Sequence, residues 1–289
     1  MVKISEEDKK FLELYSDSEY EKPSVCIDAV VFRIVDKETK NYRKLPEKKL
    51  QVFLTKRQYS PYKDCFAIPG TFINLEHELS DTMKLCVKNK IGLEHFYFEQ
   101  LFTFGDKNRD PRTRVLSVSY MLLTNGAENL TNGEWFDIDI TETQSSTAKT
   151  ENGYTIKKTV NIVLSNQNQT LENTIEIKDK KEQLDETKII NASKNSLAFD
   201  HIKIIYFAKE RLKNKLEYTD IIFNLLPKQF TLTELKQCYE EILQEDLLDA
   251  NFRRKISKMV SPTQEFSGGK GHRSSQLFEH NPLWTINLD

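Results

Sequence analysis

The segment from Val25 to Val35 constrains the fold of this chain more than any other stretch. It reads VCIDAVVFRIV, which is rich in β-branched and apolar side chains and contains neither glycine nor proline. A run of this length and composition is typical of a buried β-strand. Because such a strand must be covered on its faces, we expect a layered domain built around a sheet.

The elements around this strand extend the same prediction. Leu50–Lys56 alternates like a second strand, and Leu79–Lys90 has apolar residues at helical spacing before a capping glycine, Gly92. Three more strands are predicted at Tyr97–Phe104, Val115–Leu123 and Trp135–Ile140, the last of them short. The order strand, strand, helix and three strands predicts an α+β or three-layer domain.

The stretch 141–195 differs in composition, being rich in threonine, asparagine, glutamine, glutamate and lysine. Tyr154–Leu164 and Asn173–Lys178 predict a polar β-hairpin with the sequence SNQNQ at its turn. A disordered linker is an equally weighted alternative. We interpret this stretch as an insertion in a first domain that covers residues 1–196.

The remaining residues, 197–289, predict a second unit. Leu197–Leu216 is an amphipathic helix, and Thr231 or Thr233 can cap the next helix, ELKQCYEEIL. Asp249 can cap a third, NFRRKISKMV, and a β-hairpin around the sequence GGKG follows. A helix, a tight turn, a helix and a hairpin form the pattern of a winged helix-turn-helix.

Length and composition favour a two-domain intracellular protein. The chain has 289 residues, of which 38% are hydrophobic and 30% are charged. No apolar run is long enough to span a bilayer, and the polar N-terminus does not resemble a secretory signal. The four cysteines are scattered without a CxxC pair, which argues against disulfides or zinc and favours the cytoplasm.

A basic stretch near the C-terminus predicts contact with DNA. The net charge of the whole chain is −2, but only one acidic residue, Glu265, lies among six basic ones between positions 251 and 273. Arginine and asparagine can donate pairs of hydrogen bonds to guanine and adenine, and lysine contacts phosphate. The candidate DNA-binding residues are Asn251, Arg253, Arg254, Lys255 and Lys258 on the helix NFRRKISKMV and Lys270, His272 and Arg273 on the wing. A solvated basic surface is the alternative.

The segment from Pro69 to Leu93, PGTFINLEHELSDTMKLCVKNKIGL, resembles the Nudix box in its glycine loop, apolar helix positions and Gly-apolar end. Its chemistry departs from that motif. Aligned on Gly92, the three helix glutamates of the box become Cys86, Asn89 and Lys90, the arginine becomes Leu85, and the loop glutamate becomes His77, flanked by Glu76 and Glu78.

These substitutions affect metal binding directly. The glutamates of the Nudix box hold divalent metals that neutralise a pyrophosphate and activate water. Magnesium prefers hard oxygen ligands, and a thiol, an amide and an ammonium group cannot replace them. We therefore predict no catalytic residues, no metal site and no cofactor, with magnesium relevant only to residual hydrolase activity.

A second segment, EQLFTFGDKNRDPRTRVLSVSYMLL, closely resembles the region after the box in the Nudix-related transcriptional regulators called NrtR. The matching features are QL-x-TF, RDPR-x-R and a strand carrying Tyr120, and the later sequences LAFDH, FTLTEL and NFRRK match in order. The resemblance implies a homodimer that binds operator DNA through winged helices. It also implies that the Nudix-like domain is an α/β/α sandwich that senses ADP-ribose or a related nucleotide. The genes it controls would be those of NAD or sugar metabolism.

The lost metals leave the phosphates of such an effector without a partner, and arginine matches phosphate geometry. The candidate effector-binding residues are Arg57, Phe72, Arg109, Asp110, Arg112 and Arg114. An internal salt bridge between Asp110 and an arginine is the alternative. Two other functions stay open: a Nudix hydrolase acting on ADP-ribose or a nucleoside-diphosphate sugar, and a scaffold whose winged helix binds protein.

Overall fold

The computed structural model describes residues 5–16, 20–37, 46–126, 130–151, 153–181, 186–192, 197–268 and 274–284. In these residues the helices are α1 (Glu6–Leu14), α2 (Leu79–Ile91), α3 (His201–Lys215), α4 (Leu232–Leu243) and α5 (Asp249–Ile256). The strands are β1 (Ser24–Lys37), β2 (Glu47–Lys56), β3 (Phe66–Ala67), β4 (Gly70–Phe72), β5 (Tyr97–Phe104), β6 (Val115–Leu123), β7 (Gly133–Thr150), β8 (Gly153–Ser165), β9 (Thr170–Lys181), β10 (Glu186–Ala192), β11 (Val260–Phe266) and β12 (Gln276–His280).

The strands form one large mixed sheet and one hairpin within the described residues. The large sheet has the order β10-β9-β8-β7-β2-β1-β6-β5, with β3 on β2 and β4 on β1. Strand β1 is antiparallel to β2 and parallel to β6, and its residues from Ile27 to Phe32 are buried. The buried strand expected from the sequence is confirmed.

The two faces of β1 belong to two different hydrophobic clusters. Ile27, Ala29 and Val31 pack with the apolar side of α2. Val30 and Phe32 point the other way and join the cluster that contains the apolar residues of α3 and α4. Because successive residues of a strand alternate between faces, β1 is covered by helices on both sides. This is the three-layer arrangement that the sequence predicts.

The segment 141–195 continues the large sheet. Strand β7 runs on to Thr150, well beyond the short strand expected at Trp135–Ile140, because β8 pairs with it along its length. Strands β8 and β9 form the expected polar hairpin. The linker alternative is wrong for the described part, since Val160, Ile162 and Ile175 are buried and extend the core beside α3.

The C-terminal unit has the expected order with two corrected boundaries. Thr231 caps α4 and forms a capping box with Glu234. Asp249 does not cap α5: its carboxylate binds Lys236, 2.6 Å away, and the N-cap position is Leu248. Helix α5 ends at Ile256, so the predicted recognition helix is shorter at its C-terminus than expected.

A further boundary correction concerns the start of α3. The sequence LAFDH was expected to begin the helix, but Leu197 forms an isolated parallel bridge with Phe66, and the helix begins at His201. The amide of Ala198 donates to the carbonyl of Phe66 over 2.8 Å, which holds this segment against the sheet. Residues 197–200 therefore lead into α3 as an extended residue followed by a turn; we call this segment the entry to α3.

The winged-helix-like unit packs directly on the large sheet. Helix α4 lies against β2, and the carboxylate of Glu241 accepts a hydrogen bond from the amide of Leu50 over 2.9 Å. Nδ2 of Asn125 donates to the carbonyl of Leu226 over 2.6 Å. A domain boundary at 196/197 stays a prediction. Among the described residues, no helix is long and apolar enough to cross a membrane.

Candidate effector pocket and nucleic-acid interface

An open cavity of about 690 Å³ lies beside the start of β1 and the loop between β5 and β6. The lining residues are Cys26, Asp28, Arg57, Ile68, Gly70, Thr71, Phe72, Lys90, Arg109, Asp110, Arg112, Val115, Phe199 and His201.

The floor of the cavity is a buried ion network centred on Arg109. Its guanidinium lies 2.7 Å from a carboxylate oxygen of Asp200 and 3.3 Å from one of Asp28. All three side chains are at most 7% exposed. Burial alone would lower the pKa of Arg109, but hydrogen bonding to Asp200 and the charges of both carboxylates hold it above its usual value. Arg109 therefore stays charged, and its two buried ion pairs hold the floor together.

Asp28 is held in the floor by several neighbours. The hydroxyl of Ser117 donates to its carboxylate over 2.6 Å. A Cβ atom at position 70 would collide with the same carboxylate, so only glycine fits there. Burial and the charge of Asp28 raise the pKa of the adjacent Cys26 thiol to about 12. Cys26 is consequently a neutral thiol and not a reactive nucleophile.

Two arginines and two aromatic rings form the mouth of the cavity. The Arg57 guanidinium carbon lies 4.7 Å from the ring centroid of Phe199. That of Arg112 lies 5.5 Å from the Phe72 ring and 5.7 Å from the Phe199 ring. Burial lowers the pKa of Arg57, as does the nearby charge of Arg112. An anion placed between the two arginines would relieve their repulsion.

Asp110 orients Arg112 for this role. One carboxylate oxygen accepts from Nε of Arg112 over 3.0 Å and from its backbone amide over 2.9 Å. The other accepts from the terminal nitrogen over 2.7 Å. The Asp110 side chain is 4% exposed and that of Arg112 is 44% exposed. The salt bridge that the sequence left as an alternative is present, and it fixes an arginine that still faces the cavity.

The helix of the Nudix-box-like segment presents no set of metal ligands to the cavity. Cys86 is buried in α2, and burial raises the pKa of its thiol. Nζ of Lys90 donates a hydrogen bond to the carbonyl oxygen of Gly70. Among the described residues, no group of three histidine, cysteine, aspartate or glutamate side chains can hold a metal ion. The residues present therefore do not fit magnesium.

The entry to α3 forms one wall of the cavity. Phe199 has a φ of 54°, a left-handed conformation that is uncommon for a residue with a side chain. Nδ1 of His201 accepts a hydrogen bond from the amide of Ile68 over 3.2 Å, which ties the first residue of α3 to the cavity floor. The cavity is thus lined in part by a segment that is continuous with α3.

The structure brings five of the six predicted effector residues together: Arg57, Phe72, Arg109, Asp110 and Arg112 line the cavity. Arg114 does not line it; its side chain is exposed, and its carbonyl pairs with the amide of Ser24. Sequence reasoning missed Asp28, Lys90, Phe199 and His201. The signal for Asp28 was a carboxylate inside an apolar strand, which requires a buried partner.

The neutral state of His201 predicts a pH-dependent stability. Its pKa is lowered by burial, and its Nδ1 must be unprotonated to accept from Ile68. As the pH falls, the unfolded chain therefore binds this proton before the folded chain does. The contribution of His201 to the free energy of unfolding is fully present above the ordinary pKa of about 6.5 and is lost as the pH falls below it. At about pH 5.5 we expect the wild type to have lost about 1 kcal/mol of its free energy of unfolding through this histidine. His201→Asn, whose amide oxygen can still accept from Ile68, should not show this loss.

Urea unfolding of both proteins between about pH 7.5 and 5.5 measures this difference. The other histidines are common to both proteins, so they cancel in the comparison. Identical pH profiles would show that His201 carries no pH-dependent stability.

The predicted recognition helix exposes a basic surface. Phe252 and Ile256 are buried as expected, while Asn251, Arg253 and Arg254 are exposed. With 3.6 residues per turn, Arg254 lies on the side opposite the two buried residues. Its guanidinium lies 3.4 Å from the side-chain oxygen of Asn251, so the two can act together.

The other candidate DNA-binding residues are placed differently. Lys255 is exposed but lies 3.6 Å from the carboxylate of Glu217 and over the ring of Tyr239. Lys258 was expected to share a helix face with Arg254, but it lies in the turn after α5 because the helix ends two residues earlier. Lys270, His272 and Arg273 lie outside the described residues.

Comparison with known proteins agrees with this geometry. Residues 222–279 match the family model described as the NrtR DNA-binding winged helix domain. The C-terminal unit is therefore similar to the winged helix domain of NrtR proteins. The curated "ADPR responsive transcriptional repressor NtrR" of Acinetobacter baylyi is 27% identical over 283 residues, which are 94% of this chain and 87% of that protein.

Two solved structures share the fold. A MutT/nudix family protein from Enterococcus faecalis has a TM-score of 0.62 at 24% identity and covers 95% of this chain and 93% of its own. NrtR from Shewanella oneidensis, crystallised with a 27mer DNA, has a TM-score of 0.59 at 20% identity and covers 89% and 94%. The resemblance to NrtR proteins and the fold predicted from the sequence, a Nudix-like domain with a winged helix, are confirmed.

Proposed function

We propose that this protein is a transcriptional regulator that binds operator DNA through its winged helix and senses ADP-ribose or a related nucleotide in its Nudix-like domain. One observation carries the proposal: the wall of the cationic cavity is the entry to α3, and α3 packs on the winged helix domain. The printed name of the Acinetobacter baylyi relative, an ADPR responsive repressor, supports the same function.

The charge of the cavity suits a pyrophosphate. Four cationic side chains and two carboxylates line it, a surplus of two positive charges with His201 neutral. Asp200, which lies behind Arg109, offsets one of them. The pyrophosphate of ADP-ribose carries two negative charges, and arginine forks match its oxygens. Arg57 and Arg112 are the proposed phosphate contacts, and Arg109 holds the floor.

The rings at the cavity mouth suit a nucleobase. Phe72 is 45% exposed, which leaves its face available for stacking. Phe199 offers a second ring, which lies about as far from the Arg112 guanidinium as Phe72 does. We assign the adenine of the effector to this pair of rings and its pyrophosphate to the neighbouring arginines.

The coupling between the two sites runs along α3. Occupancy of the cavity displaces Phe199 and His201, and α3 transmits this displacement to α4. Nζ of Lys209 in α3 donates to the side-chain oxygen of Gln244, at the C-cap of α4, over 3.3 Å. We propose that the protein acts as a homodimer in the cytoplasm, where a change in the spacing of its two recognition helices alters operator affinity.

We further propose that the cavity does not hydrolyse its ligand. The box positions carry Cys86, Asn89 and Lys90, and neither Glu76 nor Glu78 lines the cavity. Hydrolysis by a Nudix enzyme requires carboxylates that hold metal ions against the pyrophosphate. A bound effector would therefore remain intact and act as a signal.

Fluorescence anisotropy with duplex DNA from upstream of the protein's own gene tests this function. We expect tight binding that weakens steeply with salt, because several phosphates are contacted, and that weakens about tenfold on addition of ADP-ribose. A scrambled duplex of equal length is the control. Equal binding of both duplexes, or an affinity unchanged by ADP-ribose, would contradict the proposal; release of AMP from ADP-ribose with magnesium would contradict the absence of hydrolysis.

A further inference from the structure

Lys90 occupies a glutamate position of the Nudix-box-like helix, and it lies where two cavities meet. The cavity described above and an adjacent open cavity of about 1,420 Å³ share four lining residues, Arg57, Ile68, Gly70 and Lys90. We refer to these two adjacent cavities, which meet at the shared residues, as the groove. Arg57 and Lys90 are the two cations among the shared residues.

The ammonium group of Lys90 is positioned by the backbone and not by a carboxylate. Its Nζ donates a hydrogen bond to the carbonyl oxygen of Gly70, which also lines both cavities. The ion pairs formed among the described residues include the neighbouring Lys84 with Asp81 and Lys88 with Glu94, but none involving Lys90. Lys90 thus lines both cavities without a carboxylate partner in the part of the chain that the structure describes.

The segment that carries Lys90 is ordered by its own contacts. Nδ2 of Asn132 donates to the carbonyl of Lys90 over 2.9 Å, and Gly92 caps the helix in a left-handed conformation. The helix is anchored by the burial of Met83, Val87 and Ile91 against the sheet. Lys90 is therefore presented from a rigid element, as a binding residue should be.

We propose that the Lys90 ammonium replaces the divalent metal of the Nudix box as the counter-charge for a pyrophosphate, so that the ligand binds without a metal. This inference rests on the proposed function, because it names how the same groove holds its nucleotide. A lysine is a compact point charge that donates to phosphate oxygens. Unlike a metal ion, it polarises no water molecule for attack, so it supplies binding without hydrolysis.

The test is titration calorimetry of the full chain with ADP-ribose and, separately, with inorganic pyrophosphate, in EDTA and in magnesium. We expect the wild-type affinity for ADP-ribose in EDTA to equal that in magnesium within about twofold. In EDTA, Lys90→Gln should bind about tenfold more weakly or worse, because a charge-assisted hydrogen bond is lost. Lys90→Arg, which keeps the charge, should recover most of the affinity.

Lys88→Gln is the matched control, since Lys88 lies in the same helix but pairs with Glu94 at the surface. It should bind like the wild type. Equal affinity of Lys90→Gln and wild type in EDTA, or wild-type binding that requires magnesium, would overturn the role of Lys90 and leave the proposed function intact. Wild-type protein that binds neither ADP-ribose nor pyrophosphate in either buffer would overturn both.

Discussion

Replacing Arg109 by methionine is expected to lower the free energy of unfolding by about 3–5 kcal/mol, because it leaves two buried carboxylates without a counter-charge. Asp28 and Asp200 are each 7% exposed and lie within 3.3 Å of the guanidinium. Methionine fills much of the same space, so the loss reports charge rather than a cavity. Urea unfolding followed by circular dichroism measures it.

Arg114→Met is the control for this experiment. It removes the same charge from the same loop, but the Arg114 side chain is exposed, and its change should stay within about 0.5 kcal/mol. The double variant Arg109→Met with Asp200→Asn should be less destabilised than the sum of the single variants, since one unpaired charge is removed. A loss below about 1 kcal/mol in Arg109→Met would show that the network is not essential to the fold.

Replacing Arg254 by alanine is expected to weaken operator binding by about 1–3 kcal/mol, roughly five- to 150-fold. Arg254 is the residue of α5 that points away from the buried pair Phe252 and Ile256, and a base contact can be made only from that side. Anisotropy titrations with operator and scrambled duplexes measure the affinity and the discrimination between them.

Lys84→Ala provides the comparison for Arg254. It removes one positive charge from α2, in the Nudix-like domain, where Lys84 pairs with Asp81 at the surface. This variant should bind the operator like the wild type. Equal affinities of Arg254→Ala and Lys84→Ala would mean that α5 does not enter the groove of the DNA. A loss on both duplexes alike would assign Arg254 to a phosphate instead of a base.

Local sequence signals predicted most of the elements. The apolar run of β1, the helical spacing of α2 with its capping Gly92, and the capping box at Thr231 are all decided by neighbouring residues. The long β7 was not predicted, because its residues after Ile140 are polar and gain strand structure only by pairing with β8. The prediction that Asp249 caps a helix was wrong for a similar reason, because Lys236 binds that carboxylate.

The pocket was only partly predictable, because its floor is built from residues far apart in the chain. Arg109 and its partners Asp28 and Asp200 are separated by 81 and 91 positions. The RDPR motif marked the loop as important, but the sequence could not distinguish Arg109, which supports the floor, from Arg112, which faces the cavity. Phe199 was not predicted to line the pocket, because the sequence LAFDH was interpreted as the first turn of a helix.

The packing of α4 on β2 has a mechanical consequence. Glu241 holds the amide of Leu50, and one hydrophobic cluster contains residues of the sheet, α3, α4 and α5. Helix α5, the predicted recognition helix, is therefore joined to the sheet by continuous packing and not only through a flexible linker. We expect small tilts of the sheet to displace α5 gradually, so that an operator bound there would lose fit by degrees and not through detachment of the whole domain.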